Sequence, residues 1–328
     1  MYLNTPNALP ALMLFEVSRT ANATCAAAVV LFVVGFPAAK SAVARATGID
    51  KVVALSNLCF ALPLAVFGAE HMSAARGISQ GVPKFMPWPL FWTYLVGFAL
   101  LAASLSIATR IQVCWSGLLF GIMMFLFVAM MDLPGTLTNI HNRISWVLLF
   151  RELSFGAGGW MLAAAAMDVR LARARTTLVT VGRVVIGSAA VLYGVQNFLH
   201  PLNAPGVPLE KMIPTWIPAR MLIGYLTSAI LFVAGTCIVL AKKSRIAAAS
   251  LGSWILMLVI FVYGPILIVG LVDSSTDVKV EGINYFFDTL LYAGTVLALA
   301  SALPGSDLPV TEKTVSILRR AQDERVEQ

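Results

Sequence analysis

Two acidic residues, Glu152 and Asp288, each lie a little way into a long apolar stretch. An ionisable group inside a membrane helix is costly and marks a site by default. Each acid is about five residues into its stretch, roughly 7 Å deep at a rise of about 1.5 Å per residue. His71 and Asn197 close two other stretches, with His200 one turn further on, and Tyr94 and Tyr225 lie early in the stretches that follow. A His beside a carboxylate can relay protons near neutral pH, and a Tyr hydroxyl can hydrogen-bond an acid or a ligand head group. The expectation is two polar clusters, His71–Tyr94–Glu152 and Asn197–His200–Tyr225–Asp288, each within a layer about 10 Å thick or less by helix rise. Plainer roles compete with it. Glu152 could pair with Arg151 or Arg143, His71 could bond a loop carbonyl, and the tyrosines could belong to the interfacial aromatic belt. With so few His and no dense acid cluster, no metal is expected.

The elements that would hold these residues follow from composition. Hydrophobic residues make up 59% of the 328 and charged residues 12%, where a soluble domain carries about 25% charged. Several apolar stretches approach the roughly 20 residues that cross a bilayer as a helix. Barrel strands alternate in segments of about 10 residues, and these do not. The expected class is an all-α integral membrane protein with about nine spans, counted by hydropathy. Residues 23–38 would form an extra first helix rather than a secretory signal, because no basic segment precedes them. Eight more helices are expected at 52–70, 90–109, 112–131, 147–167, 178–199, 219–241, 246–271 and 284–303. Residues 311–326 could form a short amphipathic helix. Cys25, Cys59, Cys114 and Cys237 are scattered without a CxxC and read as inert thiols.

Lys and Arg set the orientation. The hinge DVRLARARTT (168–177) carries Arg170, Arg173 and Arg175. If it faces the cytoplasm, so do Arg45, Arg110, Lys242, Lys243 and the basic tail, as the positive-inside rule requires. The net charge of +7 is therefore a topology signal, and no nucleic-acid partner is expected. The longer loops, 71–89, 132–146, 200–218 and 272–283, all fall outside.

The two sides of the hinge resemble each other. GVP at 81–83 is answered by GVP at 206–208, and the second copy has about six more residues before its next helix, by the alignment of its turn prolines. Pro83, Pro87 and Tyr94 are answered by Pro214, Pro218 and Tyr225, and Glu152, Ala157 and Gly158 by Asp288, Ala293 and Gly294. An even number of helices per half makes the halves parallel rather than inverted. The expected organisation is 1–50 with one helix, a four-helix unit at 51–167, the hinge, a second unit at 178–303 and a tail at 304–328.

The segments GAEHM (68–72), VPKFMPWPLFWTYLVG (82–97), YGVQNFLHP (193–201) and IPTWIPARMLIGYLTS (213–228) carry a resemblance to the DoxX-like membrane family. The chain looks like two such four-helix units fused in tandem over 52–303. It departs from the pattern at Asn197, where the family's usual His is absent. The resemblance implies a redox setting, with a quinone as a candidate ligand and a membrane redox protein as a candidate partner. From the residues themselves there is no phosphate loop, dinucleotide fingerprint, GxSxG, HExxH or CxxCH. A b-type haem would have to use His71 and His200 as facing ligands and is not expected. The leading expectation is a binding or accessory subunit for a small lipophilic ligand, in a cytoplasmic (inner) membrane with the C-terminus inside. A small-solute transporter and a structural partner-binding protein are the alternatives, and whether there is catalysis stays open.

Overall fold

The computed structural model describes residues 19–304; the expected amphipathic helix at 311–326 lies outside the described residues. Nine long helices follow one another, and no strand occurs among the described residues. We label them α1 (Arg19–Arg45), α2 (Ser56–Ser73, after a short turn at Asp50–Val53), α3 (Pro89–Thr109), α4 (Val113–Phe127) and α5 (Arg143–Ala166). The others are α6 (Ala172–Leu199), α7 (Arg220–Val239), α8 (Ser244–Leu258) and α9 (Thr276–Ala302). Each of the nine expected membrane helices is present. Of these, α1 is 27 residues long, enough to cross a bilayer. Eight helices are long and apolar enough to cross a membrane, and the chain is an all-α, multi-pass membrane protein. The ninth, α5, has 24 residues. It carries Arg151 and Glu152 near its middle and runs through the interior against α4, α6 and α9. The hinge is shorter than expected: after one turn at Val169–Leu171, α6 already begins at Ala172.

Two irregularities share one cause. Helix α4 passes into a π-helical turn at Val128–Asp132, and α8 into another at Val259–Tyr263. Each is followed at once by a helix with a proline at its start, Pro134 or Pro265. A proline removes an N–H donor and its ring collides with the carbonyl four residues back, and a widened turn avoids that collision. The helix-to-helix turns are also alike. Trp88, Arg110 and Gln112 adopt left-handed backbones, and so do Ala219, Ala241 and Lys243. These six positions, and the two π turns, pair at one constant spacing along the chain.

Packing runs across the hinge as well as within each half. Helix α2 packs on α3, and α6 on α7. Helix α2 also packs extensively on α9, and α6 on α5, while α5 and α9 meet along the centre. Glycine makes the tightest approaches possible, since without Cβ two backbones can come together. Gly294 of α9 faces the backbone of Cys59 and Phe60 in α2. The core between the halves is closed by Phe60, Tyr193 and Tyr292, all fully buried.

The two ends of the helices differ in chemistry. At one end Arg245 pairs with Asp50 at 2.6 Å, Arg110 donates to the Ala54 carbonyl and Arg175 to that of Ala302. At the other, Arg143 donates to the Pro208 carbonyl at 3.2 Å, Lys211 pairs with Glu281 and Asn284 donates to Glu70. At the Arg245 end too, Arg183 donates to the carbonyls of Ile238 and Val239, both at 2.9 Å, and so satisfies the free C-terminal end of α7.

Candidate functional site

A cavity of about 1060 Å³ opens at the end that holds Arg143 and Lys211. Its walls come from α2, α3, α4, α5 and α9, and most of its lining is apolar. Ligand pockets span about 300–1,000 Å³, so the space suits a drug-sized molecule. Leu95 of α3, Leu126 of α4 and Met131 of the π turn line the cavity and are exposed. The cavity is therefore not sealed on its α3–α4 side. Its floor is shut by Phe60, fully buried and edge-on to Phe120 at 5.4 Å between ring centres.

Local sequence places the polar residues. Asn142 caps α5 by accepting from the Ile144 amide at 2.9 Å, which puts Arg151 and Glu152 two turns in. Gly97 in α3 lets α2 approach closely, because a Cβ there would stand 2.8 Å from that of His71. The His71 Nδ1–H donates to the Phe67 carbonyl at 2.7 Å, one turn back, and leaves Nε2 as the free nitrogen. The π turn ends on Asp132 and brings it to the cavity wall.

The centre of the polar end is a three-residue ion cluster. Arg151 Nη2 meets Glu152 Oε1 at 2.7 Å, with Nε on the same oxygen at 3.1 Å, and Nη1 meets Asp288 Oδ2 at 2.8 Å. One guanidinium thus serves two carboxylates from different halves of the chain. All three side chains keep some exposure, 20%, 17% and 14%, and all three line the cavity.

Of the residues singled out from sequence, His71, Glu152 and Asp288 line this one cavity. Two separate clusters do not form, because α9 packs between the halves and carries Asp288 to Arg151 rather than to His200. Tyr94 is 46% exposed on the outside of α3 and Tyr225 41% exposed on α7, edge-on to Phe198. Both therefore take the position of interfacial belt residues. Tyr225 borders only a shallow groove with Phe198 and Phe232. Asn197 is fully buried and donates to the Tyr193 carbonyl, with its own Oδ1 left without a partner. His200 ends α6 at the surface. None of these four lines the cavity.

Glu70, Asp132 and Asn284 are cavity residues that sequence reasoning passed over. Glu70 stands beside His71 in the same GAEHM segment, and Asp132 closes an apolar run, so both left a legible trace. Asn284 left none: its place depends on α9 crossing to α2, where its Nδ2 donates to Glu70 at 3.3 Å. Among the described residues, no group of three or more His, Cys, Asp or Glu could hold a metal ion. The four cysteines are free.

On the opposite side of the molecule the corresponding space is full. The loop segment Ala204–Pro208 is buried there. A Cβ on Gly206 would lie 3.6 Å from Ile255, within ordinary contact, and the Tyr263 hydroxyl donates to the Pro205 carbonyl at 2.6 Å. Ile255 and Tyr263 stand in α8 and its π turn where Met124 and Asp132, both cavity residues, stand in α4 and its own. Comparison with known proteins gives no match to any family model, curated protein or solved structure.

Proposed function

We propose that the chain binds a small lipophilic ligand in the cavity bounded by α2, α3, α4, α5 and α9, as a binding or accessory subunit in the membrane. The observation that carries this is the inequality of the two halves. The loop segment 204–208 fills one side with its own atoms, while the other side keeps an apolar space open. A void of that size lined by side chains forfeits packing contacts and is costly to leave empty. The unsealed α3–α4 side and a polar end at Arg151 suit an amphiphile that arrives through the bilayer.

The tandem, parallel four-helix organisation and the resemblance to the DoxX-like family belong to the same proposal. The constant spacing of the left-handed turns and π turns supports the duplication. The family resemblance adds the redox setting and the redox partner. A transport function is less well supported, because Phe60 and Phe120 close the floor.

Native mass spectrometry of the protein in mild detergent tests the binding reading. The unaltered protein is expected to retain a small molecule. Ala99→Trp, which fills the cavity from α3, is expected to lose it with little change in melting. Retention that survives Ala99→Trp would refute binding in this cavity.

The basic residues gathered near Asp50, Ala54 and Ala302 support placing that end in the cytoplasm of a cell with this protein in its inner membrane. Impermeant thiol labelling of intact cells is expected to reach Glu210→Cys and not Lys242→Cys, in a background without the four native cysteines. The reverse pattern would invert the topology.

A further inference from the structure

We infer that the cavity takes a lipophilic organic cation, because its polar end offers open carboxylate acceptors and an excess of negative charge beside aromatic walls. This rests on the ligand-cavity reading above and names the ligand's chemistry.

Most donor groups among the lining residues are already engaged. Every nitrogen of Arg151 already serves Glu152 or Asp288. Asn284 Nδ2 serves Glu70, His71 Nδ1 the Phe67 carbonyl, Trp92 Nε1 the Pro87 carbonyl and Thr93 Oγ1 the Pro89 carbonyl. The Tyr285 hydroxyl accepts from the Lys211 amide and keeps its own hydrogen, and the second hydrogens of Arg151 Nη1, Arg151 Nη2 and Asn284 Nδ2 are the other donors left over. A quinone offers only neutral carbonyl oxygens, which answer neither the open carboxylates nor their charge, so this end is better matched to a cation.

The acceptors are open. Glu152 Oε2 and Asp288 Oδ1 take no hydrogen bond and are not sealed from the cavity. Among the described residues, Asp132 and Asp277 line the cavity without a hydrogen bond or ion pair. Asn284 Oδ1 is buried beside them with no partner. Lys211 pairs with Glu281, and the single charge of Arg151 is shared by two carboxylates, so negative charge is in excess. Phe67, Trp92, Phe127 and Tyr285 supply aromatic rings along the same walls, and an aromatic face attracts a cation within about 6 Å of its centre. A hydrophobic amine or quaternary ammonium would satisfy the acids with its charge and the walls with its carbon.

The test uses the full chain in phosphatidylcholine nanodiscs, with tetraphenylphosphonium and decylubiquinone as probes. Tetraphenylphosphonium is expected to bind the unaltered protein and to be lost from Ala99→Trp. Asp132→Asn and Glu70→Gln, made separately so that a folding defect in one leaves the other informative, are each expected to weaken it about tenfold or more. Decylubiquinone is expected to bind more weakly and to be indifferent to both amides. If decylubiquinone binds more tightly than the cation and is lost from Ala99→Trp, the cavity reading stands and the cation inference falls. If both amide variants hold tetraphenylphosphonium as tightly as the unaltered protein, the inference also falls. If Ala99→Trp changes neither probe, both readings fall together.

Discussion

Arg151→Met is expected to destabilise the protein by about 3 kcal/mol or more, because removing one partner of a buried ion cluster leaves uncompensated charge behind. Two carboxylates, Glu152 and Asp288, depend on this guanidinium, at 2.7 and 2.8 Å. The cost falls at the low end of the range for such losses, because the side chains keep some exposure through the cavity and water can reach them. The triple variant Arg151→Met/Glu152→Gln/Asp288→Asn is expected to recover most of the loss, since replacing a whole buried cluster by neutral groups is often tolerated. Unfolding in a denaturing detergent series would measure both. A single variant as stable as the unaltered protein would mean that the acids do not rely on Arg151. A triple variant no better than the single would move the cause from charge to packing.

Gly294→Val should separate the two halves where α9 meets α2. A Cβ at this position would sit 2.6 Å from the Phe60 nitrogen, 2.8 Å from its Cα and 2.9 Å from the Cys59 carbonyl carbon. These are backbone atoms, and no rotamer change can make room. Overpacking typically costs about 1–3 kcal/mol, and Val adds two methyls beyond the Cβ, so the loss should reach the upper end. Gly282→Ala in the same helix is the contrast. Its nearest neighbour would be 3.8 Å away, so the substitution should stabilise α9 by roughly 0.5–1 kcal/mol through helix propensity. Melting of the two variants side by side is the measurement. Equal effects would show that the α2–α9 contact is looser than the backbone distances require.

Hydropathy is a property of consecutive residues, so the chain itself determined the class, the helices and their approximate bounds. A charge within an apolar run is equally local, and Glu152 and Asp288 stood out for that reason. His71 was readable as a polar helix end. Pro134 and Pro265 stand where α4 and α8 turn irregular, yet hydropathy runs on through Pro265 and 246–271 reads as one unbroken helix. Two features were decided by tertiary structure alone. The first is the left-handed backbone at Trp88, Arg110, Gln112, Ala219, Ala241 and Lys243. None of these is the Gly or Asn that signals such a turn, and a non-glycine residue there costs about 1–2 kcal/mol. The packing of the flanking helices imposes it. The second is the site. Asp288 joins Arg151 because α9 lies between the halves, and Ala204–Pro208 fills one side while the other stays open. Which helix touches which, and whether a loop turns inward, depends on contacts between residues far apart in the chain, 137 positions for Arg151 and Asp288 and 58 for Pro205 and Tyr263. No pattern along a single stretch of chain encodes that.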